Sequence, residues 1–177
     1  MGERPVVTGK GIRRLRKEDD CSSFFSGAED LDDWLARFAW ENLQAGNAIT
    51  YVAVNENQAI VGYYALAAAS YGSTALPVRL AKNRPERTPC ILLARLAVAR
   101  DEQGKGLGRA LLADALLRSA RISQELGAAA LLVHARDAAA REFYLANGDF
   151  LPSPVEPRHL FVPTKRLRQL LADAEAR

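Results

Sequence analysis

The amino-acid sequence predicts a mixed α/β (α+β) fold, with a central sheet flanked by helices. Short apolar runs typical of buried strands are separated by longer segments in which apolar residues recur every three or four positions, as on one helical face. A glycine-rich stretch at 103–109 joins one such run to one such helix. Strands joined through a helix pair in parallel, whereas strands joined by short turns form hairpins, so we expect a mixed sheet.

The first third of the chain predicts one strand and one helix. The segment from Lys10 to Leu15 is predicted as the first strand. From Leu31 to Asn42 the apolar residues follow helical spacing, acidic residues lie near the start, and Gly46 follows the end. Trp34 and Phe38 share one face of this helix, and we expect both in the core.

A hairpin and a long connection are predicted next. The segments Ile49 to Val54 and Ile60 to Ala68 are separated by a short polar turn, which is typical of two antiparallel strands. Gly62 within the second strand indicates a bulge. The segment from Ser70 to Pro89 contains three prolines and many basic residues, so we expect a long, partly irregular connection.

The remaining elements alternate between strand and helix. Asp137 is predicted to cap one helix, and Gly127 and Gly148 are predicted to end helices. The predicted elements are a strand at Ile91 to Val98, a helix at Leu107 to Leu126, a strand at Ala129 to His134, a helix reaching Asn147, a strand at Leu160 to Val162 and a helix at Thr164 to Ala176.

Length and composition favour one soluble domain spanning residues 1–177, with 49% hydrophobic and 25% charged residues and a net charge of +3. No apolar run approaches the ~20 residues that span a bilayer. Residues 1–20 lack the apolar core of a signal peptide, so a cytoplasmic protein is expected. Cys21 and Cys90 belong to no Cys/His cluster, and no metal site is predicted.

The glycine-rich stretch Gln103-Gly104-Lys105-Gly106-Leu107-Gly108-Arg109 predicts an anion site. Glycines free the backbone to turn its N–H groups toward a ligand, and a helix N-terminus carries unpaired N–H donors and partial positive charge. Lys105 and Arg109 add mobile positive charge. The spacing fits neither the P-loop nor the dinucleotide fingerprint, and a tight turn without a ligand is the alternative.

Gln103-x-x-Gly106-x-Gly108 resembles the Q/R-x-x-G-x-G/A loop of the GNAT superfamily of acyl-CoA N-acyltransferases, which wraps the pyrophosphate of coenzyme A. The resemblance implies a GNAT fold with a splayed parallel strand pair, and acetyl-CoA as the cofactor. The slot for its arm would lie between Leu93 to Val98 and Leu131 to His134. The cofactor-binding residues so implied are Leu96, Ala97, Val98, Gln103, Gly104, Lys105, Gly106, Leu107, Gly108, Arg109, Ala110 and Phe143.

A second motif, Ala140-Arg141-Glu142-Phe143-Tyr144 followed by Gly148, resembles the A-x-x-F-Y-x-x-x-G-F signature of the same superfamily. There the tyrosine donates a hydrogen bond or proton to the departing coenzyme A sulfur, which implies that Tyr144 is catalytic. This chain departs from the signature by inserting Asp149 between Gly148 and Phe150, a change expected to shift the strand that follows Tyr144.

The predicted fourth strand carries Arg95 as its one charged residue, where many superfamily members place a carboxylate base. His134 and His159 are candidate bases, although structural roles are favoured for both. An acceptor that is partly neutral at pH 7 needs no base, and α-amines have a pKa of ~7.7 to 8.0 against ~10.4 for lysine. An α-amine is therefore the expected acceptor.

Five further segments extend the resemblance beyond the two motifs, namely Leu31-Asp32-Asp33-Trp34-Leu35, Val61-Gly62-Tyr63-Tyr64-Ala65-Leu66, Ala94-Arg95-Leu96-Ala97-Val98, Leu132-Val133-His134-Ala135 and Phe150-Leu151-Pro152-Ser153-Pro154. Together they resemble the GNAT toxins of bacterial type II toxin–antitoxin pairs, which acetylate the α-amine of the amino acid on charged tRNA. The resemblance implies three partners: aminoacyl-tRNA, a ribbon-helix-helix antitoxin and a second copy in a homodimer.

Basic residues provide candidate contacts with nucleic acid, namely Arg79, Lys82, Arg84, Arg87 and Arg95. Ordinary solvated charges are the alternative interpretation of this cluster. Two other functions stay open at this point. One is acetylation of a small-molecule amine or a protein N-terminus, and the other is a catalytically inactive module that binds acyl-CoA or an antitoxin.

Overall fold

The computed structural model describes residues 11–177, so Lys10 of the predicted first strand lies outside the described residues. None of the described helices is long and apolar enough to cross a membrane. The elements are β1 (Ile12–Arg14), α1 (Glu29–Arg37), α2 (Ala39–Ala45), β2 (Ile49–Val54), β3 (Ile60–Gly72), α3 (Val78–Ala81), β4 (Arg87–Val98), α4 (Leu107–Glu125), β5 (Ala130–His134), α5 (Ala138–Asn147), β6 (Leu151–Pro152), β7 (His159–Pro163) and α6 (Thr164–Glu175).

Within residues 11–177, seven strands form one mixed sheet in the order β1-β2-β3-β4-β5-β7-β6. The parallel pair is β4 with β5, in register from Ile91 opposite Leu131 to Leu93 opposite Val133. The pairs of β1 with β2, β5 with β7 and β6 with β7 are antiparallel. The predicted fold class, a mixed sheet with one parallel pair flanked by helices, is confirmed. β4 continues to Val98, beyond its register with β5.

The chain forms two compact units. The described part of the first comprises residues 11–65 and 95–114, and the second comprises Leu66–Ala94 and Ala115–Arg177. The strands β3 and β4 and the helix α4 each run from one unit into the other. The expectation of a single domain stays a prediction.

Tyr63 of β3 is at the centre of the core of the first unit. Its ring is fully buried, meets Phe24 edge-on and stacks against Trp34, and its hydroxyl donates to the carbonyl oxygen of Leu31 at 2.7 Å. Trp34 is half-buried. Phe38 is 44% exposed, so its predicted core position is wrong.

Phe38 also divides the predicted helix into two. Its backbone, with φ −120° and ψ −24°, is the C-cap of α1 and the N-cap of α2. The chain therefore turns between two short helices, and the face that carries Trp34 does not continue to Phe38. Gly46 ends α2 in the left-handed conformation with φ 74°, as expected for a glycine after a helix.

Gly62 of β3 allows α4 to approach the sheet closely. A Cβ atom there would lie 2.9 Å from Cδ1 of Leu111 and 3.3 Å from the carbonyl oxygen of Ala97. Leu107 and Leu111 of α4 are buried, at 4% and 0% exposure. A side chain at position 62 would push the first turns of α4 away from the sheet.

In the second unit, the segment from Ser70 to Pro89 has more regular structure than predicted. β3 runs on to Gly72, a short 3-10 turn and α3 follow, and β4 begins at Arg87, so most of the segment is regular. Leu76 and Leu80 anchor it in a core cluster with Cys90 and Phe161. Pro77 precedes α3, Pro85 lies in the irregular residues 82–86, and Pro89 lies within β4. The irregular part of the connection is therefore shorter than predicted.

The predicted starts and ends of later helices are partly confirmed. Asp137 caps α5, since its carboxylate accepts from the N–H of Ala140 at 2.7 Å. Gly127 and Gly148 follow helices without adopting positive φ, and Gly148 is extended. His159, expected in an irregular stretch, begins β7, and the short strand β6 was not predicted.

We expect Gly62→Ala to destabilise the protein by about 1 to 3 kcal/mol, because the added methyl group overpacks the contact with Leu111 and the Ala97 carbonyl. Urea denaturation measures the change in the free energy of unfolding. Gly72→Ala in the same strand is the matched control, since a Cβ there meets nothing within 4 Å. Equal stability of the two variants would contradict the prediction.

Candidate active site

The last residues of β4 lead into the glycine-rich loop. Ala97 is buried and packs in the core of the first unit, while Leu96 and Val98 are half-buried. Side chains alternate across a strand, so the face carrying Leu96 and Val98 is opposite the core face. Leu96, Ala97 and Val98 are all predicted to contact the cofactor. Because the side chain of Ala97 is in the core, only its backbone is available to a ligand.

Two of the three loop glycines adopt left-handed backbone conformations. Gly104 has φ 76° and Gly106 has φ 89°, whereas Gly108 lies within α4. A Cβ at Gly104 or Gly106 would meet nothing within 4 Å, so open space borders the backbone there. Glycine is therefore required at these two positions for conformation, and the space leaves the peptide groups accessible.

The loop opens directly into the N-terminus of the 19-residue helix α4, since the N–H of Ala110 donates to the carbonyl of Gly106 at 3.1 Å. The first N–H groups of a helix have no partner within it, and its dipole favours an anion there. The first turn of α4 carries no acid. Lys105 and Arg109 are exposed beside it, and Lys105 Nζ is 3.8 Å from the Glu102 carboxylate. This arrangement fits a pyrophosphate.

The side chain of Gln103 holds the loop in place. Its side-chain amide donates to the carbonyl of Ser26 at 2.8 Å and to that of Val98 at 3.0 Å. Leu107, predicted to contact the cofactor, is buried against the sheet, so only its backbone is available. The predicted loop residues therefore divide into those that present N–H groups and charge and those that fix the loop in place.

The sequence prediction missed the segment that supports the loop. The N–H of Arg100 donates to the carbonyl of Phe25, and a Cβ at Gly27, where φ is 95°, would lie 1.8 Å from an Arg100 guanidinium nitrogen. Ser26 is fixed in turn by the Asp32 carboxylate, which accepts from its N–H at 2.9 Å and its hydroxyl at 2.6 Å. The available signal was the Ser-Gly pair shortly before an acidic helix start.

Tyr144 of α5 has a buried ring, 7% exposed, that contacts the rings of Phe143 and Phe150 edge-on. Its hydroxyl makes no hydrogen bond within the described residues. The hydroxyl oxygen is not fully buried either. In the described residues, the fully buried side-chain polar atoms without a partner are Thr50 Oγ1 and Ser119 Oγ. Burial raises the pKa of Tyr144 above its ordinary value. The side chain is thus a protonated phenol with its donor available.

Despite the insertion of Asp149, the ring of Phe150 contacts the ring of Tyr144. The ring of Phe150 also lies over Gly148, where a Cβ would come within 2.7 Å of it. Asp149 points away to Arg166, with a separation of 2.6 Å between its carboxylate and the Arg166 Nε. The insertion is therefore accommodated by an ion pair to α6.

No carboxylate lies on β4, whose charged residues are Arg87 and Arg95. The guanidinium of Arg95 lies over the Trp34 ring, 5.2 Å from its centroid. His134 and His159 stack with ring centroids 4.0 Å apart, and Tyr71 Oη is 2.8 Å from His159 Nδ1. Partial burial, together with the charge of a protonated His159, lowers the pKa of His134. A neutral His134 is therefore favoured at pH 7.

Of the five predicted nucleic-acid contacts, two line the same cavity. Arg79 and Arg84 line one cavity of the second unit. Arg87 instead donates to Ser70, and Arg95 belongs to the first unit. Lys82 is exposed and is not part of the cavity lining.

Comparisons with known proteins define the class. The acetyltransferase (GNAT) domain family matches residues 46–148. A tRNA-acetylating toxin from Mycobacterium tuberculosis is 42% identical over 161 residues, which cover 91% of this chain and 96% of that protein. This chain belongs to the GNAT acetyltransferase family, and it is an acetyl-CoA-dependent N-acetyltransferase.

Two solved structures extend the similarity. AtaT complexed with acetyl-methionyl-tRNAfMet has a TM-score of 0.81 and 28% identity, covering 90% of this chain and 97% of that chain. A Tyr-to-Phe mutant of the AtaT toxin, bound to the C-terminus of the antitoxin AtaR and acetyl-CoA, has a TM-score of 0.75 and 26% identity, covering 91% and 97%.

We expect Gly106→Ala to weaken acetyl-CoA binding about tenfold, because a side chain at positive φ costs roughly 1 to 2 kcal/mol and narrows the open space beside the loop. Isothermal titration calorimetry measures the dissociation constant. Gly46→Ala, at φ 74° with open space around it, is the control for backbone strain alone. Wild-type acetyl-CoA affinity in the Gly106→Ala variant would contradict this prediction.

Proposed function

We propose that this chain transfers the acetyl group of acetyl-CoA to the α-amine of the amino acid carried by tRNA, and thereby acts as a toxin that blocks translation. The observation that carries the proposal is 42% identity to a tRNA-acetylating toxin across 91% of the chain. The strand β4 supports it, because its charged residues are both arginines and the reaction must proceed without a carboxylate there.

The lack of a carboxylate on β4 determines which kind of amine can be the acceptor. An amine attacks only in its neutral form, and an α-amine with a pKa of ~7.7 to 8.0 has a substantial neutral fraction near pH 7, whereas lysine at ~10.4 does not. No strong base is then needed on β4. A lysine acceptor would require a base to remove its proton.

In this proposal, residues of the glycine-rich loop and of α4 bind acetyl-CoA, and Tyr144 assists the chemical step. Bound acetyl-CoA supplies an acetyl thioester. The pyrophosphate is held by the N–H groups at Gly104, at Gly106 and at the start of α4, and by the charges of Lys105 and Arg109. The hydroxyl of Tyr144 donates to the departing sulfur. Because burial raises the pKa of Tyr144, the phenol acts first as a hydrogen-bond donor and delivers its proton to the sulfur late. The proton that the attacking nitrogen loses as the amide forms then restores the phenol.

The proposed partners are a ribbon-helix-helix antitoxin and a second copy of the chain in a homodimer. The similarity to AtaT bound to the C-terminus of the antitoxin AtaR supports an antitoxin partner. The proposed acceptor, charged tRNA, places the protein in the cytoplasm. The type of antitoxin and the homodimer come from the family resemblance.

Acetyl transfer to charged tRNA tests the acceptor directly. Labelled acetyl-CoA is incubated with the protein and a pool of aminoacyl-tRNA, and we expect label in the tRNA fraction that alkaline release recovers as N-acetyl amino acid. A deacylated tRNA pool is the control and should take up none. Normal acetyl-CoA binding without any label on charged tRNA would move the acceptor to a small-molecule amine or a protein N-terminus.

We expect Tyr144→Phe to lower kcat about 10²- to 10⁴-fold, because the departing sulfur loses its donor. The hydroxyl has no partner among the described residues, so acetyl-CoA affinity and the unfolding midpoint should stay close to wild type. Tyr71→Phe, which removes a hydroxyl bonded to His159, is the matched control and should retain activity. A Tyr144→Phe protein with the wild-type kcat would remove Tyr144 from the mechanism.

A further inference from the structure

A cavity of about 850 Å³ lies in the second unit, between the α3 region and the start of α6. Five of its lining residues are cationic: Arg79, Arg84, Lys165, Arg166 and Arg168. Among the described residues that line it, none is an aspartate or a glutamate. Sequence alone pointed to Arg79 and Arg84 but not to the three cations of α6, which follow more than 75 residues later in the chain.

Backbone carbonyls, rather than acids, hold two of these guanidinium groups. Arg84 Nε donates to the carbonyl of Leu80 at 2.9 Å, and Arg168 donates to the carbonyl of Ser123 at 2.8 Å. A carbonyl orients a guanidinium without neutralising its charge, and the remaining N–H donors stay available. Arg166 is paired with Asp149. Within the described residues, Arg79 and Lys165 have neither a hydrogen bond nor an ion pair.

The start of α6 adds to the positive potential. Thr164 is buried, and its hydroxyl and N–H donate to the carbonyls of Ala128 and Ala129, which fixes the first turn beside the cavity. A helix N-terminus disfavours cations, yet Lys165, Arg166 and Arg168 lie in and just after this first turn. This arrangement has an energetic cost, and an anion bound among these groups would offset it.

We propose that this cavity binds phosphates of the RNA backbone and so holds the tRNA acceptor, an inference that rests on the proposed function. Arginine forks and a lysine match phosphodiester oxygens, and such contacts position a nucleic acid without reading its sequence. An acidic peptide would also need apolar anchors. The apolar lining offers few, because Leu80 and Ala129 are 4% and 3% exposed.

The test compares two double variants. Arg79→Gln with Lys165→Gln removes the two cavity cations that make no contact within the described chain. Arg121→Gln with Arg177→Gln removes two exposed cations of the same unit outside the cavity. Fluorescence anisotropy measures the dissociation constant of deacylated tRNA over a salt series, and calorimetry measures acetyl-CoA binding as a check of the fold.

The cavity variant should bind tRNA roughly tenfold more weakly, and the slope of log affinity against log salt should fall by about two. The outside variant should change neither tRNA affinity nor slope, and both should bind acetyl-CoA as wild type does. Unchanged tRNA affinity and slope in the cavity variant would overturn the inference. Equal competition by duplex DNA of the same length would also overturn it, since the cavity would then not favour RNA.

The experiments distinguish a failure of the proposed function from a failure of the cavity inference. If wild type binds tRNA through the cavity but transfers no acetyl group to charged tRNA, the acceptor assignment fails and the cavity inference stands. If wild type acetylates charged tRNA and the cavity variant binds tRNA with full affinity, the function stands and the cavity inference fails.

Discussion

The close approach of α4 to β3 at Gly62 is the constraint on which the phosphate-binding loop depends. Leu107 and Leu111 are buried against the sheet, which fixes where α4 begins. β4 ends at Val98, so the intervening residues must reverse direction over a short distance, and Gly104 and Gly106 do so at positive φ. The direction in which the helix N-terminus points is therefore a consequence of packing at a glycine 45 residues earlier in the sequence.

Local signals were sufficient for much of the fold. The glycine-rich loop, the Asp137 cap and the apolar run of β5 each determine structure over a few residues, and each was predicted correctly. The break at Phe38 could not be predicted, because helical spacing continues through it in the sequence. The ordered segment before β4 depends on burial of Leu76 and Leu80, which tertiary packing decides.

The long-range hydrogen bond that supports the loop could not be predicted from the sequence for a related reason. The hydrogen bond from Gln103 to the Ser26 carbonyl joins residues 77 positions apart, and no local pattern indicates it. The motif that identifies Gln103 also suggests a ligand contact, whereas the structure shows its amide bonded to two carbonyls. Where the prediction stays untested, as for Tyr144, the structure adds that the hydroxyl is unbonded within the described residues and that burial keeps it protonated.

The fit between Gly27 and Arg100 limits how this protein can change over evolutionary time. The backbone at position 27, with φ 95°, disfavours any side chain, and a Cβ there would displace the Arg100 guanidinium from its present position. Arg100 packs over the ring of Phe25, so shortening it would also remove that contact. Positions 25, 27 and 100 should therefore vary together among descendants of this sequence, as a linked set outside the motifs by which the family is recognised.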